Sequence, residues 1–149
     1  MMVPTVVVDE IEGYKVTLTV GLVDGRVGVQ HIEVTAPDGA VIDANTVREI
    51  SFTNAIEQAL LNAVHWSTDG RFGLNPIALI LDQLATYPPT ATGRYKMPEG
   101  AALQGLAAVR RAAKVTGIGA QRLFRDHIGL PATTARYWVE RLKHLGIED

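Results

Sequence analysis

The chain has 149 residues, 47% of them hydrophobic and 20% charged, which is the composition of one globular domain or two small ones and excludes a disordered or fibrous chain. It contains no cysteine, so disulfides, thiolate zinc sites and cysteine nucleophiles are excluded. The net charge of −2 is unevenly placed: residues 1–93 carry four Lys and Arg against eleven Asp and Glu (net −7), and residues 94–149 carry ten against five (net +5).

That asymmetry sets a basic module able to meet phosphate behind an acidic one that is not. The opening MMVPTVVVDE lacks a basic region and a long apolar run. No stretch approaches the roughly 20 apolar residues of a membrane span. A cytoplasmic protein without a membrane segment is therefore expected.

In chain order, Thr5 to Asp9 is a β-branched run and a candidate strand. Tyr14 to Val23 alternates, with Tyr14, Val16, Leu18, Val20 and Leu22 on one face and Lys15, Thr17 and Thr19 on the other. Asp24-Gly25 is a strong hairpin signal, and Arg26 to Ala36 returns as the partner strand. Pro37-Asp38-Gly39 forms a second turn. An antiparallel hairpin of three strands in all is expected, and it needs a cover.

Asp43 or Asn45 can cap a short helix through Ile50, and Ser51 or Thr53 a longer one through about Trp66. In the longer one, Phe52, Ile56, Ala59, Leu60, Ala63 and Val64 make a helical stripe. Ser67 to Gly70 breaks it. Asn75-Pro76 then reads as a cap and first-turn pair for an apolar helix over residues 77–84. Strands covered by helices give an acidic α+β domain over residues 1–86.

Residues 87–100 (YPPTATGRYKMPEG) hold three prolines, two glycines and no apolar periodicity, and read as a linker. Its Arg94, Tyr95 and Lys96 read as solvated, with a basic arm into a minor groove as the alternative. From Ala101 to about Thr116 the chain is helical again, ended by Gly117, with Arg110, Arg111 and Lys114 expected on a solvated face.

The last stretch organises the rest. Ala120 to Ile128 reads as a helix with Leu123, Phe124 and Ile128 inward. Gly129 supplies a turn that needs positive φ. Leu130 plugs the interhelical angle, and Pro131 opens the next helix. At about 100° per residue, Ala135, Trp138, Val139, Leu142 and Leu145 fall on one face of that helix, and Thr133, Arg136, Tyr137, Glu140 and His144 on the other. One side seeks a core, and the other suits bases and phosphates in a major groove wide enough to admit a helix.

The segment F-R-D-H-I-G-L-P-x-T-T-A-R-Y-W-V resembles the helix-turn-helix of DNA-binding regulators. More narrowly, it is similar to short actinobacterial and phage-borne proteins with a small N-terminal domain and a C-terminal helix-turn-helix. The resemblance spans about the last third of the chain. It implies a C-terminal trihelical helix-turn-helix domain over residues 101–149, with Gly129 as the turn glycine and Thr133, Thr134, Arg136 and Tyr137 against DNA. Arg125 stands where the family usually has a small residue between the two helices, so its stem must snorkel outward or the helices must cross differently.

By residue chemistry, Arg136 can take guanine bidentately, and Tyr137 is a base or backbone contact. Thr133 and Thr134 either meet phosphate or a thymine methyl, or simply cap the helix. Arg122, Arg141 and Lys143 are expected phosphate contacts, and His144 lies on the same face. Glu140 opposes phosphate unless it accepts from a cytosine amino group.

Trp138 reads as packing, and Trp66 suits a core or an interface equally. His31, His65, His127 and His144 lack ligand spacing, so no metal or cofactor is expected. No G-x-S-x-G elbow occurs, and Gly21, Gly25 and Gly28 lie inside the hairpin, so no enzyme is expected.

The expected function is sequence-specific binding of double-stranded DNA in transcription regulation. One such unit buries little surface, so a homodimer on a two-part site is expected. The N-terminal domain would dimerise through a sheet edge or the helix at 77–84, or bind a protein partner. The alternative is a protein-interaction adaptor, of phage or plasmid type, that uses the trihelical unit without DNA.

Overall fold

The computed structural model describes residues 5–66, 75–86 and 97–146. They fall into two compact units, Met2–Ala63 and Val64–Asp149. The expected linker is described only from residue 97, and the break at Ser67 to Gly70 lies outside the described residues.

The first unit opens with β1 (Thr5–Ile11), β2 (Tyr14–Val23) and β3 (Arg26–Thr35), an antiparallel sheet in the order β1-β2-β3. Two-residue loops make both turns. Asp24 and Gly25 take φ of 50° and 77° between the paired Val23 and Arg26. Glu12 and Gly13 take 52° and 85° between Ile11 and Tyr14. Positive φ at both loop positions matches the right-handed twist of the flanking strands. The Glu12-Gly13 turn carries the strand expected to end at Asp9 on to Ile11 and sets the register of β1 on β2.

Alternation then sorts the faces. Val16, Leu18 and Val20 of β2 are buried, and Val7 of β1 pairs with Leu18 on that side. Helix α2 (Phe52–Ala63) packs across all three strands and buries Ala55, Ala59, Leu60, Leu61 and Ala63. The opposite face leaves Val6 and Val8 exposed. In β3 a bulge makes Gln30 the extra residue between the pairs Thr19–His31 and Val20–Val29. The Gln30 carboxamide lies where a Cβ on Gly21 would stand.

Helix α1 (Ala44–Glu49) precedes α2 and is capped by Asp43, whose carboxylate accepts the Thr46 N–H at 2.9 Å. That hydrogen bond holds the Asp43 carboxyl below its ordinary value.

Among its described residues the second unit is mainly helical, with a two-stranded ribbon of β4 (His65–Trp66) and β5 (Asn75–Pro76). Its helices are α3 (Ile77–Leu84), α4 (Ala101–Thr116), α5 (Ala120–Leu123) and α6 (Ala132–His144). A π-helical turn, Phe124–Ile128, continues α5. Two local expectations change here. Helix α2 stops at Ala63 instead of running to Trp66, and Asn75 pairs with Trp66 instead of capping a helix. Backbone pairing supplies what a side-chain cap would have: the Ile77 N–H donates to Val64 O at 2.9 Å.

The larger change concerns α3. Grouped by sequence with the sheet in a 1–86 domain, it packs instead on α4 and the π-turn. The reason is the surface of α4, where Ala102, Gly105, Leu106, Ala108, Val109 and Ala112 are buried along one broad face. Small residues let neighbours approach closely. A Cβ on Gly105 would stand 3.3 Å from Ile80 Cγ2 and 3.5 Å from Leu84 Cδ2. Among the described residues four helices therefore share this unit, where the sequence leads one to expect three, and the compact units divide at residues 63/64.

The fold is α+β, a three-stranded antiparallel sheet followed by helices. No helix among the described residues is long and apolar enough to cross a membrane.

A valine at position 105 would force α3 off α4. Gly105→Val is expected to cost about 1–3 kcal/mol by overpacking, read as a lower denaturant midpoint. An unchanged midpoint would mean that α3 does not seat there.

Candidate nucleic-acid interface

Helix α6 is held by one side. Ala135, Trp138 and Leu142 are buried, and the Trp138 ring meets Phe124 edge-to-face at 6.2 Å between centroids. Such a pair adds about 0.5–1.5 kcal/mol to the area it buries. Leu123, Phe124 and Leu130 are buried as expected, and Ile128 is half-buried. Gly129 takes φ of 83° and donates its N–H to Arg125 O at 3.2 Å, while the Leu130 N–H reaches Phe124 O at 3.3 Å. The second of these bonds, spanning six residues, closes the π-turn as the chain reverses into α6. Widening by one residue also decides the fate of Arg125, whose side chain is exposed instead of packed between the helices.

On the outer side of α6, Thr133, Arg136, Tyr137, Glu140, Arg141, Lys143 and His144 are all exposed, and Thr134 is half-buried. At 100° per residue, Arg136 and Lys143 flank one margin, Tyr137 and Arg141 the other, with Glu140 and His144 between them. The expected contact residues of α6 thus share one polar strip. Arg122 belongs to α5 instead, where its Nε lies 3.4 Å from Asp126 Oδ2 in an exposed i,i+4 ion pair. A phosphate at Arg122 would compete with that carboxylate.

Two placements differ from expectation. Leu145, assigned to the buried face, is 47% exposed. The helix ends at His144, and Gly146 turns the chain at φ of 73°. Leu145 there lines a groove of about 450 Å³ with Met97, Pro98, Glu99, Leu103, Tyr137 and Arg141. One margin of the polar strip therefore borders a groove of mixed polar and apolar lining.

Arg110 is the second. Expected on a solvated face, it is 7% exposed, and its Nη1 donates to Val139 O of α6 at 2.9 Å. A guanidinium from α4 thus fixes the middle of α6 by its backbone. The available signal was position: Arg110 lies among Leu106, Val109 and Ala113 on a helix that is apolar nearly all round. Its neighbour Arg111 covers the half-buried Trp66 ring at 5.9 Å, a cation–π contact.

His31 is exposed on β3, and Arg94, Tyr95 and Lys96 lie outside the described residues. Among the described residues no group of three His, Asp or Glu side chains could hold a metal ion. No family model, curated protein or solved structure matches this chain.

Arg110→Met keeps the stem and removes the charge-assisted hydrogen bond, whose loss is worth about 1.5–3 kcal/mol. Faster amide exchange along α6 is expected together with lower stability. Unchanged exchange in α6 would show that Arg110 does not anchor it.

Proposed function

We propose that this chain binds double-stranded DNA in a sequence-specific manner through α6 and acts in transcription regulation, as a cytoplasmic homodimer. In this reading α4, α5 with its π-turn, and α6 form a trihelical helix-turn-helix, and α3 is an additional helix behind it. The observation that carries the reading is the division of α6: Trp138 and Leu142 are fully seated, while an unbroken polar strip from Thr133 to His144 faces outward. The resemblance of residues 124–139 to helix-turn-helix regulators points the same way.

The strip has chemistry for both tasks. Arg136 can read guanine by two hydrogen bonds, and Thr133 and Thr134 stand in the first turn, where phosphate or a thymine methyl is in reach. Arg141 and Lys143 neutralise phosphate near the last turn, where His144 can contact it, and Arg122 joins them when it leaves Asp126. Val64–Asp149 carries eleven Lys and Arg against seven acids, the sign a phosphate partner requires. No catalytic step and no cofactor enter this reading.

One observation favours a second reading, a protein-interaction adaptor. Tyr137 is 59% and Leu145 47% exposed beside the groove that Leu103 and Met97 also line, and exposed aromatic and aliphatic residues suit a protein partner.

Anisotropy with a pool of random duplexes at roughly 50 and 200 mM salt separates the two. DNA binding predicts affinity that falls steeply with salt. Arg136→Ala with Arg141→Ala should remove one base contact and one phosphate contact, flatten the salt slope by about one unit and weaken binding at least tenfold. A chain that ignores DNA at low salt contradicts the first reading and leaves the groove as the functional surface.

A further inference from the structure

The free edge of β1 has a feature that the other edge lacks. In an antiparallel hairpin closed by a two-residue loop, the closing pair exchanges both backbone hydrogen bonds, and bonded pairs then alternate along the ladder. Ile11 and Tyr14 close the first hairpin. It follows that Ile11, Asp9, Val7 and Thr5 turn their backbone groups to β2, while Glu10, Val8 and Val6 turn theirs outward. One of these outward groups is already satisfied, since the Glu10 N–H donates to the Asp9 carboxylate at 2.8 Å. Among the described residues, the outward donors left on this edge are those of Val6 and Val8.

That short edge is self-complementary. A two-fold axis through Val7 sets Val6 opposite the partner's Val8 and Val8 opposite the partner's Val6. Each donor then faces an acceptor, which gives four hydrogen bonds without using Glu10. The two Val7 residues meet as a close, non-hydrogen-bonded pair. Asp9 lies opposite the partner's Thr5, so no acid opposes an acid. Moving the axis to Val8 would need the Glu10 N–H that Asp9 holds, and a parallel pairing would stack acid on acid.

The outer faces of Val6 and Val8, 60% and 56% exposed in the single chain, would cover each other. The opposite edge is unsuited to this. The Gln30 bulge interrupts β3, and its exposed Arg26 and Glu33 add charges, both of which discourage strand addition.

We infer that β1 is the dimerisation edge, pairing antiparallel with β1 of a second copy about Val7 to make a continuous six-stranded sheet. This deepens the homodimer part of the functional reading, and it is tested without DNA, so either can fail alone. The interface is isologous, as a two-fold dimer requires.

The chain has no cysteine, so single cysteine variants report cleanly. Close antiparallel pairs have Cα atoms about 4.5 Å apart, within the range a disulfide spans. Val7→Cys is expected to form a covalent dimer on mild oxidation, and Val8→Cys to do so far less. By sedimentation, the unmodified chain is expected at twice the monomer mass. Val8→Lys, which places a charge on a side chain already exposed in the single chain, is expected to halve that mass with an unchanged circular-dichroism spectrum. A monomeric unmodified chain, a dimer that survives Val8→Lys, or preferential cross-linking of Val8→Cys would each overturn the assignment.

Discussion

A helix can offer a row of polar side chains to a partner only if its other side is held in one orientation, and in this chain that hold is made at Trp138. Its ring sits edge-on to Phe124, and one residue further along α6 the Val139 carbonyl accepts from Arg110. Packing fixes how far α6 is rotated about its axis, and the guanidinium ties its backbone to α4. The arrangement has a cost, because Trp138 Nε1 is buried without a hydrogen-bond partner among the described residues. An unpaired buried donor costs about 1–3 kcal/mol, which the apolar burial of the indole offsets. Everything proposed for Arg136, Tyr137 and Lys143 depends on that fixed rotation.

The two compact units divide the charge as well as the fold. Met2–Ala63 carries three Lys and Arg against nine acids, and Val64–Asp149 eleven against seven. An acidic sheet unit is repelled by phosphate and a basic helical unit is drawn to it. That division suits a protein in which one part meets DNA and the other meets a second copy of itself. The same electrostatics keep the strand edge available, because an acidic surface does not compete for the nucleic acid that α6 would hold.

Local chemistry was legible in the sequence wherever one residue type had one use. Asp24-Gly25 announced its turn, Gly129 its reversal, and the spacing of Ala135, Trp138 and Leu142 the buried side of α6. Glu12-Gly13 carries no comparable signal, because glutamate rarely takes the positive φ that Glu12 has here. The register of the sheet supplies the reason here, not the preference of the residue. Tertiary choices were less legible. An apolar helix such as α3 suits any apolar surface, and only the small residues of α4 decide in favour of close packing there. Arg110 misled because a long cation on a helix is usually solvated, whereas this one reaches a carbonyl 29 positions away in the chain. The outward side of the polar strip follows from the helical spacing of Thr133, Arg136, Tyr137, Glu140 and His144. The groove beside Tyr137 does not, because segment 97–99 comes to α6 only through the fold.

Amide chemical-shift mapping of the full chain with a random duplex tests the central claim most directly. Presentation of α6 to DNA predicts the largest changes at Thr133, Arg136, Tyr137, Glu140 and His144, smaller ones at Arg122, and none along β1 to β3. Absence of change on α6, or change confined to Met97, Leu103 and Leu145 around the groove, would contradict it.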